Sequence, residues 1–168
     1  MIRKICFVVS CLVPLVSSAV EGKKMENVKT VCPMENLEVL QKATDKYLNF
    51  INKIGNGDVF PQMEAAAELI SPNCKKILNG QLFTQNREDF VTDLLSIYEN
   101  QGAWKVSPLD TVIAPSSNTV VVRILIEMDN FGAYTAIVIF RYDSSCLIAE
   151  INEVLNQVKG AYDFKDNK

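Results

Sequence analysis

The sequence predicts an α+β domain: three N-terminal helices packed on a curved antiparallel sheet. Two patterns carry this reading. Apolar residues recur with a helical period between Asn36 and about Glu99, and from Trp104 onward the period becomes two. The extended runs after Trp104 are joined by short turns, which connect antiparallel neighbours and cannot serve as parallel crossovers. Length agrees. A chain of 168 residues, 48% apolar and 22% charged, suffices for one domain with a real core and is too short for two comfortable ones.

The first helix is expected from Asn36 to Ile54, with Leu37, Leu40, Tyr47, Ile51 and Ile54 at helical spacing. Gly55-Asn56-Gly57-Asp58 stops it, because these residues tolerate positive φ. Asp58 can cap a shorter second helix in which Pro61 sits early and Met63, Ala67 and Ile70 share a face; Ser71-Pro72-Asn73 ends it. Lys75 to Phe83 is extended and turns at Asn79-Gly80, a strong hairpin dipeptide. Thr84 or Asn86 caps a third helix through Glu99, with Phe90, Leu94, Leu95 and Tyr98 inward and Gly102 as its stop. Strands follow at 104–113, 119–128, 133–142 and 146–156. Pro115-Ser116-Ser117-Asn118, Asp129-Asn130-Phe131-Gly132 and Asp143-Ser144-Ser145 separate them.

Residues 1–19 read as a signal peptide. Arg3 and Lys4 precede an apolar run from Ile5 to Val16, and Ser17-Ser18-Ala19 places cleavage after Ala19. The run is about twelve residues, short of the roughly 20 that span a bilayer, and Pro14 interrupts it. Val8-Val9-Ser10-Cys11 resembles a lipobox, but too few apolar residues precede it for an ordinary signal core. A secreted or periplasmic chain is expected, with a polar leader at 20–34, the domain at 35–158 and a polar tail at 159–168. Removing Arg3 and Lys4 from the 17 basic residues leaves 15 against 20 acidic ones, a net charge of −5. Such a chain has no long-range attraction to nucleic acid or an anionic membrane.

Histidine is absent. A Ser-His-Asp triad, a Cys-His dyad and imidazole zinc sites are therefore excluded. No calcium loop or Gly-x-x-x-x-Gly-Lys phosphate loop occurs, and neither cofactor nor metal is expected. Three cysteines, Cys32, Cys74 and Cys146, remain after cleavage. An odd count leaves at least one thiol free or paired between chains, and the residues read foremost as small buried hydrophobes.

This order of elements resembles the nuclear transport factor two-like superfamily, which includes SnoaL-like domains and ketosteroid isomerases. The resemblance spans about Leu37 to Gln157. It is carried by Tyr47-Leu48-Asn49-Phe50-Ile51-Asn52 running into Gly57-Asp58, by Leu69-Ile70-Ser71-Pro72-Asn73, by Phe140-Arg141-Tyr142 and by Ile148-Ala149-Glu150-Ile151-Asn152-Glu153-Val154. It implies a cone whose helices close over a concave sheet to leave a pocket. Members include isomerases, dehydratases, cyclases and domains that only bind or dimerise. Tyr47 matches the tyrosine that holds an oxyanion in the isomerases, but their acidic oxyanion partner aligns with Val138 and their base falls near Leu78 or Asn79. Cyclases that rely on histidine find none here. Neither mechanism carries over.

Pairing across the turns assigns faces. A symmetric turn at 129–132 sets Glu127 opposite Tyr134 and Arg123 opposite Val138; a turn centred on Ser144 sets Val138 opposite Glu150 and Ala136 opposite Asn152. Alternation then gathers Val121, Arg123, Leu125, Glu127, Tyr134, Val138, Phe140, Glu150 and Asn152 on one face. The other face holds Val120, Val122, Ile124, Ile126, Met128, Ile137, Ile139, Leu147, Ala149, Ile151 and Leu155. A slip of one residue exchanges them. Hydrophobicity alone turns the apolar face to the helices, whereas the resemblance turns Val138, Phe140, Glu150 and Asn152 to the pocket. The second choice leaves a large apolar convex face, so a homodimer through that face is expected.

The expected pocket lining is thus Arg123, Glu127, Tyr134, Val138, Phe140, Glu150 and Asn152, with Tyr47 and Trp104 added, although these two read first as core aromatics. A carboxylate inside an apolar cone has a raised pKa, which makes Glu150 a weak candidate for general acid or base, helped by Tyr47 or Arg123. Arg123 could instead neutralise Glu150 at the mouth of the cone or grip an anionic ligand. Helix carboxylates, Asp93 among them, have the spacing of solvated faces. The expected function is a binding module for a small apolar ligand or a protein partner, without assignable catalysis. The alternative is a cofactor-independent isomerase or lyase built on Glu150.

Overall fold

The computed structural model describes residues 36–58 and 62–158. The expected signal peptide, polar leader, polar tail and Pro61 lie outside the described residues. The elements run α1 (Leu37–Gly55), α2 (Gln62–Ala67), β1 (Ile70–Leu78), β2 (Gln81–Thr84), α3 (Arg87–Gln101), β3 (Trp104–Ala114), β4 (Thr119–Met128), β5 (Gly132–Tyr142) and β6 (Ile148–Gln157). A 3-10 turn at Pro115–Ser117 joins β3 to β4.

Local chemistry sets most boundaries. The Asn36 side chain accepts from the Glu38 amide at 3.0 Å to start α1, and Asn86 accepts from Asp89 at 2.8 Å to start α3. Gly102, at φ 81°, ends α3. Asn79 and Gly80 both take positive φ, 50° and 80°, and close a two-residue hairpin between Leu78 and Gln81.

The six strands form one sheet in the order β2-β1-β6-β5-β4-β3. From Trp104 onward it is the expected antiparallel meander, but β1 lies parallel to β6, so the sheet is mixed rather than antiparallel. The parallel neighbour enters through a long crossover, which the turn lengths after Trp104 do not reveal. Strand β1 also starts earlier than expected, and Ser71-Pro72-Asn73 lies within it instead of ending a helix. Pro72, which has no amide hydrogen, falls where the β1–β6 ladder skips from Ile70 to Lys75. Helix α2 is correspondingly short and buries Gln62 and Ala66, leaving Met63 exposed.

Register decides which face meets the helices. Three residues join β4 to β5, so Met128 pairs with Gly132, Ile126 with Tyr134 and Val122 with Val138. This is one residue away from the symmetric turn, because Gly132 belongs to the strand. The β5–β6 connection is longer and carries an irregularity at Arg141/Tyr142, so Val138 pairs with Glu153 rather than Glu150. Asp143 organises that turn: its side chain accepts from the amides of Ser145 at 2.8 Å and Leu147 at 3.1 Å. Both displacements are odd in number and therefore exchange faces.

Val120, Val122, Ile124 and Ile151 consequently lie buried, together with Ala136, Val138 and Phe140 of β5. The expected face assignment is corrected for β4 and β6, where hydrophobicity alone is the better guide. On β5 the resemblance points the right way. Helix α1 is tied to β3 by Asn52, which donates to the Val106 carbonyl at 2.8 Å and accepts its amide at 2.6 Å. Cys146 is disulfide-bonded, while Cys74 is a buried free thiol whose pKa burial pushes up to about 12.

Candidate functional site

Helices α1 and α3 and the concave sheet enclose a cavity of about 560 Å³. Its wall is mainly apolar: Tyr47, Leu48 and Ile51 come from α1, Leu94 and Ile97 from α3, Trp104 and Val106 from β3. Ile124, Ile126, Met128, Val138 and Phe140 contribute the sheet floor. Tyr47 meets Phe140 edge-on at 4.9 Å between centroids, and Trp104 meets Tyr98 edge-on at 6.1 Å. Phe83 and Phe131 line the cavity yet stay exposed, so they form its rim.

Among the described residues three charged side chains interrupt this wall: Lys76 of β1, Glu153 of β6 and Asp93 of α3. Lys76 Nζ lies 3.4 Å from Glu153 Oε2, with side chains only 11% and 13% exposed. The same ammonium stands 5.6 Å from the ring centroids of both Phe83 and Phe90. Asp93 has one carboxylate oxygen, Oδ2, shut away from solvent without a hydrogen-bond partner. Burial raises the Asp93 pKa above the ordinary carboxylate value; Lys76 opposes the shift and Glu153 adds to it. Burial also raises the Tyr47 phenol well above its usual value, with Glu153 contributing. Tyr47 is therefore a neutral hydroxyl throughout the physiological range. Among the described residues no group of three His, Cys, Asp or Glu side chains is placed to hold a metal ion.

The structure divides the residues singled out from sequence. Tyr47, Trp104, Tyr134, Val138 and Phe140 line the cavity. Arg123, Glu127, Glu150 and Asn152 do not, because the odd register displacements turn them to the outer face. There Arg123 pairs with Asp110 at 2.5 Å in solvent, and Glu150 lies 3.7 Å from Arg141. Glu127 is exposed, with Lys105 as its β3 partner, and Asn152 stands across from Ile139. Glu150 is thus no interior acid or base; Glu153 occupies the position opposite Val138 that was assigned to it.

Asp93 likewise faces the cavity rather than solvent. It follows Phe90 by three residues and precedes Ile97 by four, so a helix places all three on one face. Lys76 alternates with Cys74 and Leu78, and Glu153 with Ile151 and Leu155. A single charge embedded in an apolar face is the signal that locates each of them. Asn79 ties the end of β1, the strand of Lys76, to β6, the strand of Glu153: its amide donates to the Glu153 carbonyl at 2.8 Å, and its side chain accepts the Leu155 amide at 2.9 Å.

No protein-family model matches the sequence, and no curated protein does. Solved structures match strongly. A protein of unknown function with a cystatin-like fold from Methylobium petroleophilum superposes with a TM-score of 0.58 at 15% identity, covering 73% of this chain and 80% of that one. A candidate SnoaL-like polyketide cyclase from Jannaschia gives 0.56 at 10% identity over 73% and 90% of the two chains. An LEH-like epoxide hydrolase from M. tuberculosis gives 0.55 at 12% identity over 70% and 83%. NTF2-like proteins of unknown function are also among the matches. At these identities the likeness is one of fold.

Proposed function

We propose that this chain, a cone with the fold of the SnoaL-like and nuclear transport factor two-like proteins, binds a small, mostly apolar molecule between its helices and sheet. One observation supports the reading: a cavity of about 560 Å³ with an apolar wall and a single charged trio. That volume lies within the usual range for small-molecule sites, roughly 300–1,000 Å³. Trp104 is the chain's one tryptophan and lines the cavity, so it reports on occupancy. Titration with phenylbutanol, a neutral apolar probe, is expected to shift Trp104 emission saturably with one site per chain. Emission and heat that stay unchanged up to the probe's solubility limit would count against the reading.

Catalysis without a cofactor is the second reading, and Asp93 is the observation in its favour. A carboxyl with a raised pKa beside an apolar cavity suits general acid or base work. It takes over the role first given to Glu150.

Export with cleavage after Ala19 and a homodimer through the outer sheet face complete the proposal. That face carries Val112, Ile137 and Val154 at 65%, 48% and 47% exposure, and Ile137 pairs directly with Val154. Patches of this kind favour a self-complementary partner. Native mass spectrometry of the protein recovered from its host is expected to show a chain beginning at Val20 and a dimeric mass. An intact N-terminus would contradict export, and a monomer at micromolar concentration would contradict the dimer.

A further inference from the structure

We infer that the ligand of this cavity is an amine: an apolar body bearing one ammonium group that sits against Asp93. The inference rests on the cavity reading above and adds the charge of its occupant. Among the described residues the wall holds one cation, Lys76, and two carboxylates, Glu153 and Asp93. Lys76 is committed to Glu153 at 3.4 Å, with both side chains largely withdrawn from water. Asp93 takes part in no salt bridge among the described residues, and its Oδ2 has no hydrogen-bond partner. Among the described residues no second lysine or arginine lines the cavity to answer it. The wall is therefore one positive charge short.

The surrounding chemistry suits a cation. Tyr47, Trp104 and Phe140 present π systems to the same space, and aromatic faces attract ammonium groups more strongly when water is excluded. The placement of Lys76 near Phe83 and Phe90 shows that this wall already accommodates one ammonium. A carboxylate ligand would add a third negative charge to a site with one cation. A neutral ligand would leave Asp93 unanswered. The competitor for Asp93 is a proton, which burial and Glu153 favour and Lys76 opposes. Lys76 from β1 and Glu153 from β6 are the charged groups facing it, with the neutral Tyr47 from α1 beside Glu153. An ammonium displaces that proton, so amine affinity rises with pH as Asp93 ionises.

The test is calorimetric titration of the full chain at neutral pH with phenylbutylamine, phenylbutanol and phenylbutanoate. The expected order is amine, alcohol, carboxylate, with the amine about tenfold tighter than the alcohol. Asp93→Asn is expected to bring amine and alcohol within about twofold of each other, chiefly by weakening the amine. An alcohol that binds as tightly as the amine, or a carboxylate that binds tightest, overturns the charge inference and leaves the cavity reading standing. Failure of all three probes to bind overturns both.

Discussion

Lys76 and Glu153 are two charges taken out of water in the wall of an apolar cavity, and each tolerates that position because the other is there. Removing one partner of such a pair exposes the full desolvation cost of the other. Lys76→Met is expected to lower stability by about 3–5 kcal/mol, and Lys76→Met with Glu153→Gln to recover most of it. Glu150→Gln provides the contrast. Its contact with Arg141 is long at 3.7 Å and Arg141 is 63% exposed, so its loss is expected to change stability by less than about 1 kcal/mol. Urea denaturation of the four proteins checks the series. A Glu150 variant that unfolds as readily as Lys76→Met would mean that the β5–β6 register is wrong. Both glutamates lie on the same strand, and the choice between them depends on whether three residues belong to the turn or to the ladder. Composition and alternation do not settle that count; the Asp143 hydrogen bonds to Ser145 and Leu147 do.

Helix α1 meets β3 where Gly55 lies against Trp104. A Cβ at Gly55 would overlap the Trp104 carbonyl oxygen and stand 2.7 Å from its ring. Gly55→Ala is therefore expected to destabilise the fold by about 1–3 kcal/mol, the usual range for overpacking, and to shift Trp104 emission as the ring is displaced. Unchanged stability and emission would show that helix and strand are further apart than described here. The sequence marks Gly55 only as a helix stop; its second role, as the site of close approach, depends on a contact between residues far apart in the chain. Helix caps, the Asn79-Gly80 hairpin and the strands after Trp104 are legible because each is set by neighbouring residues. Strand β1 is not. Pro72 in its middle imitates a helix stop, and its partner β6 lies some seventy residues away.

The cone itself is visible in the order of elements, and solved structures of the same fold agree with it at low identity. Its interior was only half legible. The lining residues Tyr47 of α1 and Val138 and Phe140 of β5 follow from the family resemblance, whereas the charged trio comes from three separate elements, β1, α3 and β6, which only the tertiary fold brings together. The mixed outer face follows from the same register: Arg123 and Glu150 sit where a cone needs solvated polar groups, between Val121, Ile137 and Val154. Of the apolar residues expected on the dimer face, Ile137 is exposed there, whereas Val120, Val122, Ile124 and Ile151 are buried inside; the dimer proposal rests on Ile137 with Val112 and Val154. The most direct measurement is a crystal structure of the protein with phenylbutylamine. Ligand density is expected inside the cone among Tyr47, Trp104 and Phe140, with the nitrogen within hydrogen-bond distance of Asp93 and with Glu153 on the cavity wall. A cavity filled by the protein's own side chains, or Glu150 facing the interior in place of Glu153, would contradict it.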